Sequence, residues 1–303
     1  TIGSASIEYL GTSISTKPIS ITVTKGAPKQ RDDKTSGVSE ADIADNLFIR
    51  ASIDKNRVYQ GEQVTVTYKL YTRLNIAAQM AVDKLPQYQG FWAEELGTSQ
   101  NISFTTEVLN GKQYKVGLLK RAALFPTQTG KLEVTPFELT IPIQIPKKKN
   151  PNNIWDDFFG DPFGRAEIYE YKATSNIVNV DVLALPQNNQ PASFRGAVGR
   201  YDFSASIDKS VTKTNEPISL KLKITGTGNI KLLELPDFEL PNGFEKYDPK
   251  INEKLERGGK ISGSKEAEYL LIPRIAGSRE IPPIEFSYFD IEKKSYQTIS
   301  SKT

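Results

Sequence analysis

The stretch Ala51-Ser52-Ile53-Asp54-Lys55 returns 154 positions later as Ala205-Ser206-Ile207-Asp208-Lys209, and it lies inside a longer internal repeat. The shift of 154 holds without a gap from residues 47–76 to residues 201–230, with nine identical residues. In both copies apolar residues alternate with polar ones, a period of two that places every second side chain on one face of a β-strand. The repeat therefore predicts two related modules, each of which begins with two half-buried strands.

Turn signals separate the predicted strands. Gly61 of the first copy aligns with Asn215 of the second, and these residue types best tolerate a positive φ, so the alignment predicts a left-handed turn at both positions. Asn110-Gly111 and Gly258-Gly259 each stand between alternating segments, a pattern typical of β-hairpins. Helical signals are confined to Ser39-Glu40-Ala41-Asp42, which could cap one short turn. Many short strands joined by turns predict an all-β chain of tandem immunoglobulin-like β-sandwich modules.

The closing strands of the two copies also match, which divides the chain into modules. Residues 126–136 reappear at 273–283, and the opening residues 1–7 fit the same closing strand. We predict five segments: the C-terminal hairpin of a truncated first module at 1–26, a linker at 27–45, a second module at 46–183, a linker at 184–194 and a third module at 195–303. Proline residues in the 184–194 linker favour an extended connector, so we expect the modules to be held apart.

The residue types that are missing exclude several kinds of chemistry. The chain contains neither Cys nor His, so it can form no disulfide, no zinc–thiolate site and no Ser-His-Asp or Cys-His nucleophile. Its net charge of +3 over 303 residues gives no reason to expect nucleic acid as a partner, because phosphate binding needs clustered basic charge. No stretch approaches the roughly 18 apolar residues of a membrane span. We predict a protein that is not an enzyme and that uses no cofactor.

Several motifs resemble the BatD family of bacterial aerotolerance (oxygen tolerance) proteins. They are Phe194-Arg195-Gly196-Ala197-Val198-Gly199, the repeat at 205–209, Thr225-Gly226-Thr227-Gly228-Asn229-Ile230, Tyr247-Asp248-Pro249-Lys250 and, in the first copy, 48–51 with 58–64. The resemblance implies a cleavable signal, periplasmic β-sandwich modules and a C-terminal anchor in the inner membrane, outside the present sequence. It implies neighbours encoded beside the family, which are MoxR-type ATPases, von Willebrand A-domain proteins and tetratricopeptide-repeat proteins, in an envelope complex linked to oxidative-stress resistance. It carries no catalytic residues to transfer.

One loop is longer than its counterparts. The closing hairpin of the second module spends residues 147–167 on a connection for which the third module uses 290–294. Long loops within compact domains are often functional, and aromatic residues are enriched at interface hot spots. We therefore predict a partner-binding site at the four aromatic residues of this loop, Trp155, Phe158, Phe159 and Phe163. The alternative is a lid whose rings fold back on their own sandwich.

Three other groups suggest chemistry and are weaker signals. Asp156, Asp157 and Asp161 could bind calcium, but their spacing is not that of an EF-hand loop, so we predict no metal site. Glu94-Glu95 beside Trp92 could suggest a glycosidase, but adjacent residues of a strand point to opposite faces and cannot converge on one bond. Gly226-Thr227-Gly228 lacks the Lys-Ser/Thr ending and the following helix of a phosphate loop, so we interpret it as a bend between strands.

Besides a hydrolase, which the absence of a convergent acidic pair disfavours, two functions remain open for such a chain. The first is a non-catalytic periplasmic scaffold that binds von Willebrand A-domain and tetratricopeptide-repeat membrane proteins, because free sheet edges can accept a partner strand. The second is a carbohydrate- or surface-binding adhesin, in which Trp92, Trp155 and the 13 tyrosines stack on sugar rings.

Overall fold

The computed structural model describes residue 4 and residues 6–9, 12–17, 39–97, 102–145 and 167–302, and it separates into two units. In the first unit, β1 (Ser6–Tyr9) pairs antiparallel with β2 (Thr12–Ser15), with Ser6 opposite Ser15. A hairpin therefore stands where the sequence predicts the end of a first module. Its membership of a larger module stays a prediction.

The regular secondary structure of the second unit is almost entirely β-strand in its described residues. Its first part, up to residue 183, contains α1 (Glu40–Asn46), β3 (Leu47–Ile53), β4 (Arg57–Tyr59), β5 (Val64–Thr72), β6 (Ala81–Lys84), β7 (Phe91–Glu95), β8 (Phe104–Leu109), β9 (Lys112–Pro126), β10 (Gly130–Val134), β11 (Glu138–Ile145), β12 (Glu167–Thr174) and β13 (Val178–Leu183). Its second part contains β14 (Phe194–Ile207), β15 (Ile218–Gly228), β16 (Phe244–Lys246), β17 (Lys250–Glu256), β18 (Ser262–Pro273), β19 (Glu285–Asp290) and β20 (Ser295–Ser300).

The second module is a sandwich around one core. One layer has the order β3-β5-β9-β7, with β8 also paired to β9. The other layer consists of the sheets β12-β11-β6 and β10-β13-β4. Alternate residues of β5 and β11 meet between the layers and are almost fully buried: Val64, Val66, Tyr68, Leu70, Leu139, Ile141 and Ile143. Period-two alternation in the sequence thus becomes the inner face of each sheet.

In the third module, the long strand β14 takes part in both layers of the sandwich. Residues 199–207 of β14 pair antiparallel with β15, whereas the first part of the same strand pairs parallel with β19. This change of partner carries the chain between the sheets β16-β18-β15-β14 and β14-β19-β20, with β17 also paired to β18. The core between them includes Leu222, Ile224 and Phe286. The immunoglobulin-like sandwich predicted from the sequence is confirmed for both modules.

The repeated motif has the same structural role in both copies. The Asp54 carboxylate accepts a hydrogen bond from the backbone N–H of Thr65 at 2.7 Å, and Asp208 accepts one from Ser219 at 2.8 Å. Each aspartate therefore fixes the register at the start of the next strand. The predicted left-handed turns are also present, since φ is +80° at Gly61 and +69° at Asn215.

The predicted helix cap and the two predicted hairpin turns are confirmed as well. Ser39 caps α1 in a capping box, because its hydroxyl accepts from the Asp42 N–H at 3.1 Å and the Asp42 carboxylate accepts from the Ser39 N–H at 3.1 Å. Asn110 and Gly111 both have positive φ, at +50° and +75°, and join β8 to β9. Gly258 and Gly259 lie between β17 and β18, which pair as a hairpin.

The expectation that the 184–194 linker holds the modules apart is wrong. The second and third modules lie in one compact unit, and the ring of Tyr59 packs 5.1 Å from that of Phe289. The linker is itself attached to the third module, because the Tyr296 hydroxyl donates to the Pro186 carbonyl at 2.8 Å. Each module carries an apolar patch beside the linker, and the burial of these patches outweighs the extended preference of the prolines.

Candidate interaction surfaces

The contact between the second and third modules is built around the carboxylate of Glu94. This residue lies on β7 of the second module and is only 6% exposed. Lys231 and Arg257 of the third module approach it, each with a nitrogen 3.1 Å from a carboxylate oxygen. The Trp92 indole N–H donates to the same carboxylate at 3.2 Å. A buried charge is thereby matched by two cations from the other module, as a buried carboxylate requires.

These contacts fix the charge state of Glu94. Burial by itself raises the pKa of this carboxyl, but the hydrogen bonds from Lys231, Arg257 and Trp92 lower it by more, so the pKa lies below its usual range. The acid is therefore ionised near neutral pH. The Lys231 ammonium also lies 5.9 Å from the centre of the Trp92 ring, within the range of a cation–π contact.

A second polar contact joins the modules at Gln63. Its side-chain amide donates to the Gly259 carbonyl at 3.1 Å and accepts from the Ile261 N–H at 2.8 Å. Gln63 therefore provides hydrogen-bond partners for the Gly259 carbonyl and the Ile261 N–H, which lie in the turn between β17 and β18. The hairpin that the sequence predicts at Gly258-Gly259 is thus also the element that docks on the second module.

Apolar packing completes the contact. Ile261 of the third module is 1% exposed and packs with Leu96, Ala123 and Phe125 of the second. Near the linker, a Cβ placed on Gly61 would lie 2.9 Å from Cγ2 of Val198. Glycine is therefore needed at this turn both for its positive φ and for the close approach of the third module.

The acidic pair beside Trp92 does not form a glycosidase site. Glu94 points to the third module, whereas Glu95 is exposed and pairs with Lys120. The two carboxylates thus leave the strand on opposite faces, as predicted. Because the Trp92 N–H is bonded to Glu94 and its ring faces Lys231, this tryptophan is part of the module contact. No pattern in the sequence indicates these partners, because they come from a different module.

The predicted partner-binding residues Trp155, Phe158, Phe159 and Phe163 lie outside the described residues, as do Asp156, Asp157 and Asp161. The aromatic site in the 147–167 loop therefore stays a prediction, as does its alternative. Within the described ranges, no group of three or more acidic residues is placed to hold a metal ion. The same ranges contain no helix that is long and apolar enough to span a membrane.

The glycines of Gly226-Thr227-Gly228 lie in a sheet. They form the end of β15 and pair with residues 199–201 of β14, so the interpretation as a bend between strands is wrong. A Cβ on Gly228 would lie 2.1 Å from the Tyr201 hydroxyl oxygen. The glycine at this position permits the tyrosine hydroxyl to reach the Val198 carbonyl, to which it donates at 3.1 Å.

Several free sheet edges in the described residues carry protection against a further strand. The Asn176 side-chain amide accepts from the Ala51 N–H at 2.9 Å and donates to its carbonyl at 3.1 Å, which covers the edge of β3. The edge strand β17 has four charged residues among its seven, and β12 has three among eight. The edge strand β6 is only four residues long. Short length and charge are the usual means by which edges avoid unwanted pairing.

The edge strand β8 lacks these features. Its sequence, Phe-Thr-Thr-Glu-Val-Leu, contains no Lys, Arg or Pro, and its only charge belongs to Glu107. That carboxylate is used within the module, because Lys69 lies 2.7 Å away and the Tyr71 hydroxyl donates at 3.2 Å. Val108 is 71% exposed and Phe104 43% exposed. Since no described strand pairs with its outer edge, β8 can accept an added strand, as can the uncharged edge strand β20.

Comparison with known proteins assigns the modules to a family. The model of the BatD DUF11-like domain matches residues 51–153 and 205–303, together two thirds of the chain. These two matches begin at the same position of the internal repeat, Ala51 and Ala205. A search of curated proteins found no match.

Solved structures with some similarity include a cohesin dyad and two adhesins. The type II cohesin dyad from the adaptor ScaA scaffoldin of Acetivibrio cellulolyticus shares 11% identity over 74% of this chain and 82% of its own, with a TM-score of 0.23. The Yersinia pseudotuberculosis adhesin InvE shares 13% over 85% of this chain and 60% of its own, with a TM-score of 0.20. The collagen adhesin CNA from S. aureus shares 9% identity over 86% of this chain and 92% of its own, also with a TM-score of 0.20. Scores this low support no inference about binding.

Proposed function

Because the chain belongs to the BatD family, we propose that it is a non-catalytic periplasmic scaffold of a membrane-anchored envelope complex linked to oxygen tolerance. In this role it holds the soluble domains of other membrane proteins. The observation that carries the proposal is a docked pair of sandwiches that presents an unprotected edge at β8, where two apolar side chains are exposed. Docking fixes the direction in which this edge is presented, and the edge supplies the unpaired backbone groups that an incoming strand can use.

The proposed partners are von Willebrand A-domain and tetratricopeptide-repeat membrane proteins. The contact is an extended segment of the partner that adds to β8, with its own side chains over Phe104 and Val108. Main-chain hydrogen bonds provide affinity in such a contact, and the two apolar side chains provide specificity. Lys112 and Lys115 are exposed on the neighbouring strand β9, so an acidic residue in the incoming segment finds a cation there.

The test is recovery of these partners from membranes with the intact, anchored protein. The double variant Thr106→Lys/Val108→Lys places charge on β8, as protected edges do naturally. We expect it to reduce recovery of the A-domain or repeat protein at least ten-fold. The matched control is Ile251→Lys on β17, an exposed apolar residue on an edge that is already charged, and it should leave recovery within two-fold.

Two results would contradict the proposal. The first is equal recovery with the β8 variant and with the control, which places the contact elsewhere. The second is recovery of neither class of protein while the protein binds reproducibly to a glycan array. Loss of that glycan binding in Trp155→Ala would then favour the adhesin.

A further inference from the structure

In the second module, the last strand joins the end of the module to its beginning. β13 pairs antiparallel with β10, with Val180 opposite Leu132, and parallel with β4, with Leu183 opposite Tyr59. Its alternate valines point inward, since Val180 is fully buried and Val182 is 5% exposed. β13 therefore fills the gap between β4 and β10 and closes that side of the core.

The third module contains the counterparts of β4 and β10, but the strand between them is missing from the described residues. The repeat aligns β4 with residues 211–213 and β10 with residues 277–281. Neither segment is a strand, and no described strand pairs with either. Exposure follows from this difference: Val58 of β4 is 2% exposed, whereas its counterpart Thr212 is only half-buried. Apart from the Lys213 carbonyl, which accepts from the Glu216 N–H, and the Ser278 carbonyl, which accepts from the Arg279 guanidinium, the backbone groups of the two segments are free to pair with an added strand.

The hydrogen bonds on either side of the gap are conserved between the modules. In the second module, the Ser175 N–H donates to the Phe137 carbonyl and its hydroxyl accepts from the Phe137 N–H. In the third, Ser301 makes the same two bonds with Ile284, at 2.9 Å each. Ser301 thus occupies the place of Ser175, which lies three residues before β13.

The turn that receives the end of β13 is conserved too, apart from one bond. The Gly61 N–H donates to the Pro126 carbonyl at 2.9 Å, and the Asn215 N–H donates to the Pro273 carbonyl at 2.8 Å. In the second module, the Gln60 N–H also donates to the Leu183 carbonyl of β13 at 2.9 Å. The equivalent N–H of Thr214 has no such partner in the described residues.

A cleft of about 1000 Å³ occupies this gap. Its apolar lining comes from the two sheets and from both unpaired segments: Ile207, Val211, Ile218, Leu220, Ile281 and Ile284. Part of the third module's core thus faces the cleft, and Ile281 is half-exposed although its counterpart Val134 is fully buried. The cleft has the position, edges and apolar floor that β13 uses in the second module.

We propose that this cleft is a strand-acceptor site for an extended segment that follows residue 303 and has aliphatic side chains at alternate positions. The segment runs parallel to 211–213 and antiparallel to 277–281. Its inward side chains cover Ile281 and Thr212, and its carbonyl accepts from the Thr214 N–H. The inference is independent of β8, which lies in the other module.

The experiment appends the six residues of β13, Val-Asn-Val-Asp-Val-Leu, directly after residue 303. We expect amide hydrogen exchange at 211–214 and 277–281 to slow at least ten-fold, with an increase in the Tm of the third module. The matched control appends Ser-Asn-Ser-Asp-Ser-Leu, which has the same length and charge but no inward aliphatic side chains, and should leave exchange unchanged. Unaltered exchange with the valine extension, or equal protection by both extensions, overturns the proposal.

A third arm separates an attached strand from a donated one. The free peptide Val-Asn-Val-Asp-Val-Leu is added in trans to the 303-residue chain. Attachment raises the effective concentration of the strand at the cleft. The appended strand should therefore protect residues 277–281 from exchange, whereas the free peptide at a concentration equal to that of the protein should not. Protection by the free peptide and none by the appended strand would instead identify a strand supplied by another molecule, and the proposal as stated would be wrong.

Discussion

Replacement of Glu94 by Gln tests whether the contact between the second and third modules depends on this carboxylate. The substitution keeps the size of the side chain and removes its charge, so Lys231 and Arg257 lose their ionic partner. Neither cation is fully buried, since their side chains are 38% and 43% exposed. Both can be rehydrated after the substitution, which makes the cost smaller than that of breaking a fully buried pair.

The magnitude follows from these exposures. A hydrogen bond to a charged group contributes about 1.5–3 kcal/mol, and exposed ion pairs contribute about 0–1 kcal/mol. The free-energy contribution of two half-exposed ion pairs to a buried carboxylate lies between these limits. We therefore expect Glu94→Gln to reduce the free energy of unfolding by about 2 kcal/mol. The matched control is Glu95→Gln on the same strand, whose partner is Lys120 and whose side chain is 69% exposed, with an expected cost of at most about 0.5 kcal/mol.

Two assays measure this effect. Urea unfolding gives the loss of stability for each variant, and a double-mutant cycle with Arg257→Met should give a coupling energy of about 1 kcal/mol. Because the chain has no Cys, spin labels can be placed at Thr106→Cys and Glu285→Cys without background. Their distance distribution should broaden in Glu94→Gln and stay narrow in Glu95→Gln. Equal costs for the two variants, with an unchanged distribution in both, would refute the role assigned to Glu94.

Three further predictions concern the same contact. Acid should weaken the contact between the modules, because the pKa of Glu94 is lowered in the folded protein. The contribution of Glu94 to stability is therefore complete above the ordinary Glu pKa of about 4.3 and is lost as the pH falls through the lower folded value. A distance between the spin labels that is unchanged between pH 7 and pH 2 contradicts this. Gly61→Ala should cost about 1–3 kcal/mol because of its positive φ and the nearby Val198, and thermal unfolding should show partial recovery in Gly61→Ala/Val198→Ala. Ile261→Ala should cost about 2–5 kcal/mol in urea unfolding, and a cost below that of Glu95→Gln would contradict its assignment to the contact.

Local features of this fold could be predicted from the sequence because a few neighbouring residues determine them. Gly61 and Asn215 are the residue types that tolerate positive φ, and Asn110-Gly111 fits a tight hairpin turn, so each turn could be located without the rest of the chain. The sandwich followed from the period of two, since alternation of this kind needs a second layer to cover the apolar face.

Contacts between distant residues could not be predicted in the same way. Glu94 gives no sign in the sequence that its partners are Lys231 and Arg257, because a charged residue in a strand is usually solvated. The apolar residues at Ile261 and Phe125 fit an ordinary core pattern, although they pack between modules. Alternation also does not reveal which strand ends a sheet, so β8 became a candidate only when the strand order was known.

The parallel pairing of β4 with β13 has a consequence for folding during synthesis. Tyr59 lies opposite Leu183, which is 124 positions later in the chain, so β4 stays unpaired until β13 leaves the ribosome. At about 5–20 residues per second this interval is on the order of ten seconds. Throughout that time the core between β4 and β10 lacks the strand that covers it. A chaperone that recognises extended aliphatic segments can bind there during this interval.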